Sequence, residues 1–473
     1  MNQTINIKKA GTYYLLGNLF NKGIAFLTVP IFTRILSTYD YGIVTTYNSW
    51  IGIISMSIGF ALHMAVRLAF VDLEEKIDEF MSTVVSFTIL SSIALTLIIC
   101  SGALLFKVNI SIVLVLLCML QGFSTAVIED YIHYLMMQYR YRFRTLLMIA
   151  PNLVSVIFSI VAILFVFKTD RYLGRIIPTG LVSLLFGILV VLLVYRKSKA
   201  GINRKYLRYG LTISMPLIIH GIALNVLSQS DRMMISWLAN PSQTGIYSLI
   251  FNFSMIATVL TSSLEGIWLP WFTEKMKNRK FGEINALSID YINFMTYAMV
   301  CLLLVAPEIV KIMANETYWE GIKIIPPIVL ANYVIFLYSL YVNIEHFYKH
   351  TIYITRNTII AAIVNVLLNY IFIPIYGYVA AAYTTLAAYL ISLILHAIYA
   401  KKLEPGLYPI RAFVRPIVLI IISTILFYIF KDYSFIRWTL MFLFFILMVI
   451  RERKRILEFF PELEQKIKLP IRK

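Results

Sequence analysis

Charge is scarce in this sequence. Asp, Glu, Lys and Arg make up 14% of its 473 residues, while 60% are hydrophobic; soluble domains carry roughly 25% charge and 45–50% apolar residues. So few charged groups cannot clothe an apolar mass of this size in water, so a soluble globular fold is excluded and lipid must cover much of the surface. Cysteine is nearly absent. Cys100, Cys118 and Cys301 fall inside apolar runs and form no CxxC pair, which leaves no basis for a disulfide framework or a metal site. Enzyme signatures are missing as well. There is no P-loop, so this chain does not itself hydrolyse ATP, and there is no HExxH or G-x-S-x-G. Glu345 and His346 are adjacent but have no nucleophile in view. An enzyme is therefore not expected, nor is a cofactor. Negative charge is the scarcer sign, and the formal net charge is +18. In a soluble chain that excess would point to nucleic acid. In an apolar chain it reads as positive-inside bias and attraction to anionic lipid heads, so the expected partners include membrane lipids and exclude nucleic acid.

What the sequence does have is long apolar runs, with a mean hydropathy of +0.80. At ~20 residues per span plus short loops, the length admits twelve to fourteen helices. The runs predict spans at 10–36, 43–70, 80–106, 109–137, 145–167, 173–195, 208–238, 244–272, 284–306, 322–348, 353–375, 377–400, 412–430 and 434–450. The first begins near Ala10, is too long for a signal-peptide core and lacks a cleavage site, so no cleavable signal is expected. With the N-terminus placed inside, the inner segments hold 30 Lys and Arg and the outer ones 8, with four more inside spans. This asymmetry predicts that both termini are cytoplasmic. Trp268, Trp271, Trp319 and Trp438 read as interfacial anchors. Pro30, Pro216, Pro270, Pro326, Pro327 and Pro374 read as points where a span can bend.

The chain also repeats. Leu36 to Gly42-Ile43 follows the first span, and Leu238 to Gly245-Ile246 follows the seventh; the two glycines are 203 residues apart. Tyr172-Leu-Gly174 and Tyr376-Gly377 open the sixth and twelfth spans at the same offset. Six spans separate the members of each pair, so the copies share one topology, as in a parallel repeat about an axis along the membrane normal. The expected architecture is an all-α polytopic membrane protein of about 14 helices. Residues 1–200 and 201–402 form two six-helix lobes in parallel pseudo-repeat, and residues 403–473 add two helices and a basic cytoplasmic tail. Gly42 and Gly245 are expected to serve helix entry and close packing.

Four stretches carry a family resemblance: Asn18 to Lys22 through Pro30 to Arg34 and Gly42; Gln138 to Arg144; Ser230-Asp231-Arg232 through Gly245-Ile-Tyr247; and Asn365 through Asn369, Pro374 and Tyr376 to Thr385. As an ordered set they resemble the polysaccharide-biosynthesis flippases, the O-antigen and capsule-unit branch of the multidrug/oligosaccharidyl-lipid/polysaccharide exporter superfamily. The resemblance runs from about residue 10 to 400. It implies two lobes around a central cavity, alternating access, a polyprenyl-diphosphate-linked oligosaccharide as substrate, and a bacterial cytoplasmic (inner) membrane location. Candidate partners are then the polysaccharide polymerase and glycosyltransferases, and a monomer is expected. The competing readings are a multidrug or peptidoglycan-precursor exporter of the same fold and, in a different class, a membrane polysaccharide polymerase or acyltransferase. The short outer loops argue against that last class.

Charged groups inside a bilayer are costly and usually face a cavity or a partner. The cationic candidates for binding a diphosphate are Lys22, Arg34, His63, Arg67 and Arg232, since phosphate oxygens need point charges and forked donors. Arg34 and Arg67 also lie near enough to span ends to snorkel. The carboxylates Asp231, Glu129, Asp130, Glu265 and Glu345 are candidates for coupling transport to a proton or Na+ gradient; pairing with a basic side chain is the competing role for each. Asp231 and Arg232 point ~100° apart on a helix and so need not pair. Asn18, Asn365 and Asn369 are expected to bond between helices.

Overall fold

The structure is a computed structural model that describes residues 7–105 and 111–459. Every element among them is helical. Besides three short 3-10 or π segments, the α-helices in order are α1 (Ile7–Ile35), α2 (Thr38–Gly59), α3 (Leu62–Asp72), α4 (Ile77–Leu105), α5 (Ile112–Met137), α6 (Tyr141–Val161), α7 (Arg171–Tyr195), α8 (Arg204–Leu238), α9 (Pro241–Phe253), α10 (Met255–Lys277), α11 (Phe281–Met313), α12 (Ile325–Phe347), α13 (Thr351–Tyr376), α14 (Tyr378–Leu403), α15 (Arg411–Ile429) and α16 (Ser434–Phe459). Twelve stretches are long and apolar enough to cross a membrane, and α8 becomes a thirteenth if its two segments, bent by 48° between Met215 and Ile218, are one span. That bend falls where the sequence has Pro216, a residue that cannot donate to the helix ladder. The remaining pass is α1, whose apolar helix Phe26–Ile35 is shorter.

Two predicted spans are each a pair of helices. The second joins α2 to α3 through Phe60 and Ala61, both left-handed at φ 49° and 50°. The eighth joins α9 to α10. Pro326 and Pro327 lie in the first turn of α12, where a missing N–H costs nothing, so they start that helix and do not bend it. Trp268 also departs from expectation. It is buried, with its ring stacked on Tyr291 at 4.5 Å, so it is a core residue and not an interfacial anchor.

The chain divides into two compact units, Met1–Asn252 with Thr355–Ala388, and Phe253–Ile354 with Tyr389–Lys473. The first unit is cored by Leu62, Phe80, Val127, Leu135 and Val190 from α3, α4, α5 and α7. On α7 the buried face carries Gly180, Gly187, Val190 and Val194, and the other face exposes Leu181, Leu185, Leu189 and Leu192. Leucines that a soluble helix would hide thus face outward, as lipid contact requires.

The repeat is visible as chemistry inside the first unit. Ser37 caps α2 in a capping box with Asp40: the Asp40 backbone N–H donates to Ser37 Oγ at 3.1 Å and the Ser37 backbone N–H to Asp40 Oδ2 at 3.3 Å. At the same offset of 203, Asn240 caps α9, its Oδ1 accepting from the Gln243 backbone N–H at 3.0 Å. Asp40 and Gln243 then each hold the start of a second helix. The Tyr172 backbone N–H donates to Asp40 Oδ1 at 3.3 Å, and the Tyr378 backbone N–H to Gln243 Oε1 at 2.9 Å. Between them α2 and α9 cross with almost no separation. A Cβ on Gly42 would lie 1.7 Å from the Pro241 carbonyl oxygen, and one on Gly245 would lie 2.1 Å from that of Thr38. Thr38 and Pro241 are themselves 203 apart, so the crossing sits on a local twofold axis, and both glycines serve close packing as expected.

Candidate functional site

Four helices of the first unit bury a polar network around Asp231. The carboxylate is 1% exposed. Its Oδ2 accepts from the Tyr247 hydroxyl at 2.5 Å and from Thr385 Oγ1 at 2.6 Å, and its Oδ1 accepts from Asn369 Nδ2 at 2.7 Å. Asn369 and Asn365, one turn apart on α13, carry the network on: Asn365 accepts from Ser230 Oγ at 3.1 Å and donates to Thr385 at 3.2 Å, and Thr384 donates to Asn369. Both asparagines therefore bond between helices, as the sequence suggests. Among the described residues all donors to Asp231 are neutral. Burying a carboxylate this deeply is tolerable only because each oxygen is hydrogen-bonded.

Arg232 turns away from its neighbour. Its guanidinium donates to Gln229 Oε1 at 2.6 Å and to the Ser228 carbonyl at 3.3 Å, and lies 4.4 Å from the centre of the Phe251 ring. Gln229 is itself held by Ser49 Oγ at 3.2 Å. Arg232 is 6% exposed, and among the described residues no carboxylate lies within salt-bridge distance of it. A second guanidinium has the same surroundings. Arg175 donates to Ser159 Oγ at 3.2 Å and lies 4.2 Å over the Phe32 ring, again without a carboxylate partner among the described residues. The Tyr41 phenol is within electrostatic reach of both and accepts from Asn252 Nδ2 at 3.0 Å. Two cations thus sit on aromatic faces and neutral oxygens around one tyrosine.

Arg175 lies inside the predicted span 173–195, but the sequence did not single it out as a binding candidate. In the structure α7 starts at Arg171, so Arg175 is one turn inside the helix. The spacing Arg171–Arg175, i and i+4, was the available signal.

A second cluster lies at the α3 end of the same span. Arg67 donates to His133 Nε2 at 2.6 Å, His133 Nδ1 lies 2.9 Å from the Glu129 carbonyl, and the His63 and His133 rings are 5.0 Å apart. Glu129 is half-exposed, its carboxylate 3.8 Å from His133 Nδ1. Asp130 is buried and accepts from the His63 backbone, while its Oδ2 meets no donor among the described residues. The structure thus gathers His63, Arg67, Glu129 and Asp130 around His133, which the sequence did not single out.

The other candidates stand apart. Arg34 is exposed in the last turn of α1. The side chain of Lys22 lies outside the described residues, as does that of Asn18. In the second unit Glu345 is fully buried, and His396 Nδ1 lies 3.0 Å from both its carboxylate oxygens, with the Tyr338 ring stacked on the imidazole at 5.6 Å. Glu265, partly buried on α10, lies within electrostatic reach of Tyr291 and Tyr338. Among the described residues no cluster of His, Cys, Asp and Glu could hold a metal ion by its side chains alone.

A family profile described as polysaccharide biosynthesis protein matches residues 7–276. No curated relative matches by sequence. Among solved structures, the lipid II flippase MurJ in an inward closed conformation is similar with a TM-score of 0.65 at 18% identity, over 94% of this chain and 99% of that one. An inward-facing multidrug resistance transporter of the MATE family, within the MOP superfamily, gives 0.58 at 13% identity over 80% and 94%. A MATE transporter from Vibrio cholerae gives 0.55 at 13% identity over 85% and 99%. The fold is therefore the one that these solved transporters share.

Proposed function

The chain belongs to the polysaccharide biosynthesis protein family, and on that basis we propose that it flips polyprenyl-diphosphate-linked oligosaccharide units across the bacterial cytoplasmic membrane by alternating access, for surface polysaccharide export. The observation that carries the reading is the Arg175–Arg232 pair. Asp231 lies within electrostatic reach of Arg232, but among the described residues neither guanidinium is in direct ion-pair contact with a carboxylate. A membrane-embedded guanidinium without such a contact is expensive, and two around one tyrosine are best explained by an anion that comes and goes. A diphosphate has the charge and the oxygen geometry for forked donors.

In this reading the headgroup meets Arg67, His63 and His133 at one end of the second span and Arg175, Arg232 and Tyr41 at the other. The polyprenyl tail stays in lipid. Lys22 and Arg34 are the remaining basic candidates in this reading. The lobes 1–200 and 201–402 rock about the α2–α9 crossing. Asp231 is the leading coupling group for a proton or Na+: its carboxylate and the surrounding Asn, Thr and Tyr oxygens offer a proton acceptor or hard ligands for a small cation. Asp130, Glu129, Glu265 and Glu345 are the remaining coupling candidates. Both termini are cytoplasmic, and the partners are the glycosyltransferases and polymerase on either side of the flipping step.

The same diphosphate chemistry would serve a lipid-linked peptidoglycan precursor, and one structural relative is a lipid II flippase. A cationic-drug exporter fits less well, because the two guanidiniums would repel its substrate. The test uses inverted membrane vesicles and a labelled polyprenyl-diphosphate oligosaccharide. Arg175→Gln with Arg232→Gln should abolish protected uptake at normal membrane abundance, and Arg67→Ala should reduce it. Uptake unchanged in the double variant would end the diphosphate reading. Competition by a lipid-linked peptidoglycan precursor, but not by oligosaccharide lipids, would transfer the function to the second substrate.

A further inference from the structure

A further basic site lies in the second unit, in none of the clusters above. α11, α15 and α16 border an open cleft of about 410 Å³, lined by Asn293, Arg411, Arg415, Arg451 and Glu452 among others. Three cations face one carboxylate. Glu452 is already engaged: its Oε1 accepts from the Tyr297 hydroxyl at 3.2 Å and lies 4.0 Å from Arg415 and 3.7 Å from Arg451. Arg415 donates to the Tyr297 hydroxyl at 2.6 Å. The carboxylate therefore orients two of the arginines and neutralises one charge. Arg411 is exposed and has no ion-pair partner among the described residues.

Two further observations point to an occupant. Asn293 is 6% exposed, and among the described residues its Oδ1 meets no donor, so a residue lining a cleft of net positive charge carries an unsatisfied buried acceptor. The cleft also lies where α15 begins, at Arg411, and where the apolar stretch of α16 ends, at Glu452. That is the depth at which phospholipid phosphates lie. Ile417, Ile421 and Ile425 on α15 and Leu443, Leu447 and Ile450 on α16 are exposed on the same two helices, ready for acyl chains.

We propose that this pocket binds the headgroup of an anionic phospholipid. The arginines take the phosphodiester, and Asn293 Oδ1 accepts from a headgroup hydroxyl such as that of glycerol. Basic pockets between transmembrane helices recognise lipid heads in this way. A polyprenyl diphosphate shares the phosphate chemistry, so the experiment separates the two sources.

The full-length protein, purified in mild detergent, is titrated with phosphatidylglycerol or phosphatidylcholine, and retained lipid is counted by native mass spectrometry. Phosphatidylglycerol should be retained in preference. Arg411→Gln with Arg451→Gln, both at exposed positions, should weaken that retention about 25-fold, since each basic group at an anionic interface contributes roughly fivefold. Phosphatidylcholine should be unaffected, and the double Lys variant should keep most of the preference. Equal retention of both lipids by the unaltered protein, or a preference that survives the Gln pair, overturns the proposal. Displacement of phosphatidylglycerol by equimolar polyprenyl diphosphate overturns it too, because the pocket would then be a substrate station. Failure of the transport reading leaves this outcome untouched, since no flipping is measured.

Discussion

Ser248 donates a hydrogen bond of 3.0 Å to Thr45, and the two residues are 203 positions apart. That is the offset of the sequence repeat, so each hydroxyl meets its own counterpart in the other copy. Both are buried, beside the Gly42–Gly245 crossing. If the lobes rock apart on this axis, the bond must break in each cycle. Thr45→Cys with Ser248→Cys should form a disulfide under oxidant, stop uptake, and recover on reduction. Full uptake by the cross-linked protein would show that the crossing does not part.

The glycines themselves predict a stability effect. Gly42→Ala puts a methyl group 1.7 Å from a backbone oxygen, a clash that no side-chain rotation relieves. Membrane abundance should fall sharply. Gly266→Ala, where nothing lies within 4 Å of the added Cβ, should leave it unchanged. Immunoblots of membrane fractions compare the two.

Asp231→Asn replaces an acceptor of three hydrogen bonds by a group with one acceptor oxygen. At least one donor among Tyr247, Thr385 and Asn369 is then left facing an NH2, at a cost of ~1–3 kcal/mol. The melting temperature in detergent should drop. If Asp231 carries the coupling ion, residual uptake should also lose its response to an ionophore. An unchanged ionophore response removes Asp231 from that role even if stability falls.

Glu345 and His396 are 0% and 1% exposed. Removing one partner of a buried pair strands the other and costs ~3–5 kcal/mol, whereas removing both with apolar groups of similar volume is often neutral. Glu345→Met or His396→Leu alone should lower the melting temperature, and the double variant should recover part of the loss. A strictly additive double variant would mean that the two side chains do not depend on one another.

Arg232→Lys should not rescue transport. The planar guanidinium lies on Phe251 while one of its nitrogens donates to Gln229 and Ser228, and a compact, strongly hydrated ammonium does not reproduce the stacked plane. Uptake close to normal in the Lys variant would mean that only charge matters there.

The sequence by itself determined the broad architecture. Hydropathy has the period of a bilayer, so fourteen runs could be counted. The helices that match them in α2 to α16 need no long-range contact to be recognised, because in lipid a span must satisfy its own backbone. The repeat was legible because caps and glycines have local geometric requirements: Ser37 and Asn240 begin helices, and Gly42 and Gly245 permit contact wherever they meet. Partnership was not legible. Asp231 and Arg232 are adjacent in sequence, yet one is held by Tyr247, Asn369 and Thr385 and the other by Gln229 and Phe251. His133 and His396 carried no signal until Arg67 and Glu345 were brought to them from other helices. Arg175 lay inside the predicted span 173–195, yet nothing local marked it as the neighbour of Phe32 and Tyr41. The cost of a charge in the bilayer marks which residues must have a reason to be there. Only tertiary packing, which sets side chains from distant spans within 3 Å, decides what that reason is.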